Sequence, residues 1–275
     1  MSAEPNPPVK PSPVENIKES SRQLRGTVAD ELAQDLDHFN EQNKQLLKFH
    51  GAYQQDNRDA RKDRHKVGTG KAYMFMVRCK IPGGKVSAAQ YLALDELASK
   101  FSSGTLRITS RQGIQFHGII KSHLKESIAG INHCLLSTLG ACGDVERNVM
   151  APPAPFRTPV YTALQELADR IARHLAPRTG AYHEIWLNGE AVHTEPVPPE
   201  TEPIYGKVYL PRKFKTGIAL PEDNSIDIYA QDLGFLAILE NNQIVGYNVL
   251  VGGGMGMTHG NEHTFPFIAK PICHV

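Results

Sequence analysis

Apolar and polar positions change period several times along this chain. Residues 1–14 are rich in proline and polar groups, and predict a disordered or loosely docked arm. Residues 15–51 carry a helical pattern through ENIKESSRQLRG and ELAQDLDHFNEQNKQLLKFHG. The charged, glycine-punctuated run from Tyr53 to Gly70 reads as a connector. Together these form an expected arm and helical segment over 1–65. A compact unit over 66–152 follows. It opens with a strand at Ala72–Lys80. A helix begins at the capping box of Ser87 and Gln90, with Tyr91, Leu94, Ala98 and Phe101 at helical spacing. A hairpin follows in LRITSRQGIQFHGI (106–119). A second helix carries Leu124, Ile128, Ile131, Leu135 and Leu139 and stops at Gly140. VERNVMA then reads as a last strand. The order strand, helix, strand, strand, helix, strand is a ferredoxin-like split βαβ arrangement.

APPAPFRTP (151–159) reads as a linker. A second α+β unit is expected over 160–275. Its helix is YTALQELADRIARHLA. Strands are expected in YHEIWLN, around VYLPRKFKTGIAL, and in SIDIYA, GFLAILE and IVGYNVLVGGG. Trp186 is expected in the core. No closing helix or strand is visible at PICHV, so this unit reads as incomplete.

Alternation fixes where the hairpin's polar groups point. Arg107, Thr109 and Arg111 share one face of the first strand, and Gln115 and His117 share one face of the second. A two-residue loop would set Thr109 opposite Phe116 and mix the faces. A three-residue loop, Arg111 to Gly113, pairs Thr109 with Gln115, Arg107 with His117 and Ile108 with Phe116. The three-residue loop is therefore predicted, with Gly113 supplying positive φ. One reading of this polar face is ordinary solvation. Yet it has two arginines, a histidine and no carboxylate. MVRCK adds Arg78 and Lys80 on one strand face, LPRKFKT adds Lys213 and Lys215, and Arg147 lies just before the linker. A pocket lined by cations from both units would suit a polyanion, or a carboxylate-rich cofactor plus a small oxyanion.

Composition narrows the partners. Hydrophobic residues make up 40% and charged residues 21%, ordinary for a soluble globular protein. A net charge of +1 gives no global field for nucleic acid, so any anion site is local. The stacking aromatics of a single-strand RNA platform are also missing from the polar face. No apolar run approaches the ~20 residues of a membrane helix, and a cytoplasmic protein is the simplest reading. Cys79, Cys134, Cys142 and Cys273 show no paired spacing and are expected as free thiols. No metal site is predicted: His259 and His263 lie four apart without a third ligand. VGGGMG (251–256) matches no nucleotide-loop pattern and suggests a close backbone approach to a flat ligand or another chain segment.

LRITSRQGIQFHGI, LGACGDVERNVMAPPAP, EPIYGKVYLPRKFKT and NVLVGGGMGMTHG strongly resemble the sirohaem-containing sulfite reductases. FHGAYQQDNRD and MVRCKIPGG do so as well. The resemblance runs from about Asn16 to the last residues. It implies six-electron reduction of sulfite to sulfide at a sirohaem bridged by a cysteine thiolate to a [4Fe–4S] cluster, in a pseudo-twofold α+β fold. It also implies that Arg107, Thr109, Arg111, Gln115 and His117 bind the carboxylate edge of sirohaem. Arg78, Arg147, Lys213 and Lys215 would hold sulfite and relay protons as catalytic cations. The implied electron donor is ferredoxin or an NADPH-dependent flavoprotein, with TLGACGD and RNVMAPPAP closer to the ferredoxin-dependent enzymes. QFHG and LPRKFKT look like the sulfite branch rather than the nitrite branch. One departure is serious. The family's paired cluster cysteines are absent, so the chain reads as an amino-terminal half that does not reduce sulfite alone. The alternatives are a nitrite reductase of the same superfamily and a non-catalytic fragment that binds a tetrapyrrole or another polyanion.

Overall fold

The structure is a computed structural model that describes residues 12–153, 156–188, 202–257 and 259–275. Most of the arm expected over 1–14 lies outside them. The helical pattern over 15–51 resolves into three short helices, α1 (Pro13–Ser20), α2 (Val28–Leu32) and α3 (Glu41–Phe49). A turn separates the first two, in which Arg22, Gln23 and Leu24 all take positive φ. The Leu24 N–H donates to Ser21 Oγ there at 2.9 Å.

The connector expected over 53–70 is instead structured. It contains most of strand β1 (Ala52–Asp56) and helix α4 (Arg58–Lys66). No α4 residue is buried, so the helix shows no apolar stripe in sequence. Its start is set by Asn57, whose Oδ1 accepts from the N–H of Asp59 and Ala60.

The first sheet has the order β1-β2-β4-β3, all antiparallel. Strand β2 is Tyr73–Arg78, β3 is Leu106–Ile108 and β4 is Ile114–Ile119. Helix α5 (Ala88–Phe101) starts at the expected capping box of Ser87 and Gln90 and buries Leu94 and Ala98. Helix α6 is Leu124–His133. It stops earlier than the stripe suggested. Leu135 takes positive φ and is 69% exposed, while Leu124, Ile128 and Ile131 are buried. VERNVMA is not a strand of this sheet. Glu146 and Met150 form isolated parallel bridges to Phe214 and Gly217, so the segment runs beside the second sheet, and β1 takes the edge next to β2.

The hairpin register also differs from expectation. Arg107 faces Gln115, Leu106 faces Phe116 and Ile108 faces Ile114. The parity is the predicted one, but the partners are displaced by two residues, and residues 109–113 form the turn. Gln112, not Gly113, takes positive φ. Gly113 is needed for space: a Cβ there would stand 3.0 Å from the Cys79 carbonyl oxygen.

Helix α7 (Pro159–His174) has Thr158 as its N-cap and Pro159 in its first turn. It buries Val160, Leu164, Ala168 and Ala172 on one face. YHEIWLN forms a helix, α8 (Ala181–Trp186), rather than a strand. Its buried residues Ala181, Tyr182, Ile185 and Trp186 recur at helical spacing, which the short run disguised as a strand. The second sheet has the order β5-β6-β7-β8. These are Thr216–Ala219, Leu233–Glu240, Gln243–Val251 and Lys270–His274. SIDIYA contributes a 3-10 turn at Ile228–Ala230 instead of a strand. PICHV, read as featureless, supplies β8.

One core joins α2, α3, α5, α6 and the first sheet, and it includes Trp186 and Tyr209. A second packs α7 on Ile218, Leu220 and Ala237, with Val149 and Ala151 beside them. Arg111 links the two sheets: its NH1 donates to Gln231 Oε1 (2.7 Å) and its NH2 to the Asn148 carbonyl (2.6 Å). No helix among the described residues is long and apolar enough to cross a membrane.

Candidate functional site

The residues singled out in the sequence meet where β2, β4, the loop 141–148 and the segment before β5 come together. Arg78 leaves the end of β2, since Val77 and Cys79 on either side are turned into the core. Its NH1 donates to Cys142 Sγ (3.0 Å) and to the Ala141 carbonyl (3.4 Å). Arg147 Nε donates to that same Ala141 carbonyl (3.1 Å), and its NH1 to the Gly143 carbonyl (3.3 Å). Arg147 is only 8% exposed. No carboxylate pairs with either guanidinium among the described residues. A buried cation held by neutral groups alone carries a large desolvation cost, which a nearby negative charge would offset.

β4 extends the cationic surface. With its amide oxygen turned toward Arg78, Gln115 accepts from Arg78 Nε (2.9 Å) and NH2 (2.5 Å), while its amide nitrogen donates to His117 Nε2 (3.0 Å). The last bond makes Nε2 of His117 an acceptor. Burial, with Arg107 and Arg78 nearby, lowers the His117 pKa, so this imidazole is neutral at pH 7. Arg107 faces Gln115 across the ladder and forms no hydrogen bond or ion pair within the described residues.

From the second unit, Lys213 is exposed, and its pKa is lowered by partial burial and by Arg147, Arg212 and Lys215. Lys215 donates to the Ala230 carbonyl (2.8 Å) and lies 3.9 Å from Asp232. Its pKa is also lowered, chiefly by burial. These electrostatic contacts run without a gap from His117 and Arg107 through Arg78 and Arg147 to Lys213 and Lys215.

Two predicted binding residues lie elsewhere. Thr109 Oγ1 accepts from the Gly113 N–H (3.1 Å) and so closes the hairpin turn. Arg111 belongs to that turn rather than to β3, so strand alternation does not govern it, and its side chain reaches between the sheets. Lys80 shares the face of Arg78 but is buried, with Nζ 3.5 Å from the Glu146 carbonyl oxygen.

Sequence reasoning missed four residues in or behind the site. Tyr53, in the supposed connector, lies close to Cys142, Arg78 and Arg147. Asn148 joins the units through both amide atoms, accepting from the Ile81 N–H (2.8 Å) and donating to the carbonyls of Ile81 (2.6 Å) and Arg111 (2.8 Å). Gln231 holds Arg111, and Glu146 sits beside Thr216. None belongs to a local pattern; the quoted runs FHGAYQQDNRD and LGACGDVERNVMAPPAP contained Tyr53, Glu146 and Asn148 without marking them. Chain packing accounts for Gly252 and Gly253 of the glycine-rich stretch, not for Gly254 and Gly256, which face open space: a Cβ on Gly253, at φ +68°, would stand 2.0 Å from the Gln231 carbonyl oxygen.

Cys79 and Cys142 are buried, Cys134 is half-buried and Cys273 is exposed, all as free thiols. No group of three or more His, Cys, Asp or Glu able to hold a metal ion occurs among the described residues.

Comparison with known proteins gives a consistent result. A family model described as the nitrite/sulfite reductase ferredoxin-like half domain matches residues 66–133. A second, the nitrite and sulphite reductase 4Fe-4S domain, matches residues 166–274. The sulfite reductase [NADPH] hemoprotein beta-component of Staphylococcus saprophyticus is 50% identical over 263 residues, covering 95% of this chain and 46% of the relative. That of Geobacillus kaustophilus is 50% identical over 264 residues, with the same coverage. The chain thus spans about half the length of these relatives. The solved structure of Mycobacterium tuberculosis NirA shares the fold, with a TM-score of 0.67 at 21% identity over 95% of this chain and 43% of that one.

Proposed function

The chain belongs to the nitrite and sulfite reductase family, and from that premise we propose that it supplies the cationic site of a sulfite reductase haemoprotein, which holds sirohaem carboxylates and the sulfite oxyanion. The observation that carries this reading is the buried Arg147, which shares the Ala141 carbonyl with Arg78 and has no carboxylate of its own.

The residues fit sirohaem by charge. Arg107 and Lys213 have no partner within the described residues, and Arg78 and Arg147 meet only neutral ones. A polycarboxylate would complete them. Gln115 and His117 add neutral polar groups on the same strand. They do not fit a [4Fe–4S] cluster, because the four cysteines are dispersed. No step is therefore assigned to a cluster on this chain.

When bound, sirohaem supplies the iron through which electrons reach sulfur. The chain's own part is electrostatic. Arg78, Arg147 and Lys213 fix the oxyanion and offset its charge. Lys213, with its pKa lowered by partial burial and by its cationic neighbours, gives up a proton more readily than an ordinary lysine. Lys215 is steadied by Asp232 and serves beside it. Arg111 contributes indirectly, by fixing one sheet against the other. The names of the relatives favour an NADPH-fed flavoprotein over ferredoxin as electron source.

The test is a titration of the protein with sirohaem followed by visible absorption. A saturable spectral change is expected. It should be weakened about tenfold or more in an Arg78→Gln/Arg147→Gln variant, since hydrogen bonds to charged groups contribute about 1.5–3 kcal/mol each. Equal binding by the variant would overturn the assignment. With a chemically reduced viologen as donor, this chain alone should release no sulfide.

A further inference from the structure

Behind the cationic arc lies a second group of ionisable side chains that anion binding does not explain. Glu146 is 1% exposed. Its Oε2 accepts from Thr216 Oγ1 at 2.9 Å, and its Oε1 has no partner. Arg111 NH2 reaches the backbone carbonyl of the same Thr216 at 3.3 Å, and Arg111 Nε is likewise buried without a partner. One orphaned acceptor and one orphaned donor thus flank a single residue. Buried polar atoms without a protein partner are commonly satisfied by an ordered water.

The groups facing Glu146 come from every neighbouring element. Lys80 follows β2, Arg111 comes from the hairpin turn, and Tyr205 receives the Glu146 N–H at 3.3 Å. Arg147 is next in the chain and acts on both Lys80 and Arg111, and Asp232 faces Arg111 from β6's approach. Burial raises the Glu146 pKa toward neutrality, against the pull of Lys80, Thr216 and Arg111. The same burial lowers that of Lys80. The carboxylate therefore stays ionised through Lys80 and Arg111, which lie behind the arc and feel its member Arg147.

We propose that Glu146 is the proton-exchanging group of the cationic arc, taking up one proton when a dianion occupies Arg78, Arg147 and Lys213, through a water that joins Glu146 Oε1 to Arg111 Nε. The proton comes from solvent: –COO⁻ and H⁺ become –COOH, and no electron moves. The cause is electrostatic. A dianion on Arg147, the next residue in the chain, brings negative charge beside Lys80 and Arg111, the cations that keep Glu146 ionised, and desolvation then favours the neutral acid. The proposal rests on the anion-site reading above. It adds a store that gains a proton when an oxyanion arrives, in a reaction that consumes protons.

Sulfate is a suitable probe, because it stays a dianion near pH 7. Calorimetric titration of the protein with sulfate, in two amine buffers of different ionisation enthalpy, reads the protons exchanged. Net uptake of up to one proton per sulfate is expected near pH 7. Glu146→Gln should keep sulfate binding and lose the uptake. Binding without uptake by the native protein overturns this proposal and leaves the anion site standing. No sulfate binding overturns both. A carbon-13 titration of the native protein's glutamate carboxyls needs no variant. One carboxyl should titrate above the usual carboxylate range and move higher with sulfate. If every carboxyl stays in the usual range, the proposal fails.

Discussion

Lowering the pH should destabilise the fold through one buried histidine. His50 is fully buried between α3 and β1. Its Nε2 lies 2.9 Å from the Leu24 carbonyl oxygen, and its Nδ1 lies 3.2 Å from Trp186 Nε1. An indole N–H only donates and a carbonyl only accepts, so the ring is neutral, with its hydrogen on Nε2. A second proton on Nδ1 would set donor against donor. Burial accordingly lowers the His50 pKa to about 4. The unfolded chain titrates near the ordinary 6.5. Between these values the unfolded state holds more protons, so stability falls as pH falls through that window and is fully present above it. At ~1.4 kcal/mol per pH unit, the loss from pH 7 to pH 5 amounts to about 2 kcal/mol. Urea unfolding followed by the single tryptophan, which is itself the partner, measures it. Other groups titrate as well, so the diagnostic is the difference from His50→Gln, which can accept from Trp186 and donate to Leu24 but cannot be charged. If native and variant stabilities change in parallel between pH 7 and pH 5, this account of His50 is wrong.

Three further outcomes are expected. Gly253→Ala should cost about 3 kcal/mol or more in thermal or urea unfolding, because a Cβ would meet the Gln231 backbone at 2.0 Å in a left-handed conformation. Displacing Gln231 should also weaken its hold on Arg111, so sirohaem binding should fall with it. Ser87→Ala removes the acceptor of the Gln90 N–H (3.1 Å) and one side of the α5 capping box, and should cost about 1 kcal/mol by urea unfolding without changing ligand affinity. In the folded protein a thiol reagent should label Cys273 first, since it is exposed, while Cys79 and Cys142 react only on unfolding because burial raises both thiol pKa values. Rapid labelling of Cys79 in native buffer would show that the first core is open.

Local pattern was enough for elements whose signals lie within a turn or two of the chain. The Ser87–Gln90 box, the face of α7 and the alternation that sends Arg78 away from Val77 and Cys79 are all of this kind. Long, specific runs carried the family resemblance, and with it the expectation of Arg78, Arg147, Lys213 and Lys215 as one cationic group. Local pattern failed where a neighbour distant in sequence decides. α4 has no buried face, so nothing marked it except an Asn cap. YHEIWLN is too short for its period to separate a helix from a strand, and its burial against α6 settles the matter. The segment 145–151 could pair with either sheet, and the hydrogen bonds from Arg147 and Met150 to Phe214 and Thr216 assign it to the second.

What the sequence determined by itself was the chemistry of the surface: many cations, and no carboxylate on the hairpin. What only the tertiary structure decided was which cations stand free and which are spent on holding the molecule together. Arg147 and Arg111 look alike in a list of basic residues. One is held by neutral carbonyls beside Arg78, and the other is wedged between two sheets next to Glu146. Charge is a property of a residue, but desolvation and pairing depend on what the rest of the fold brings within a few ångströms of it.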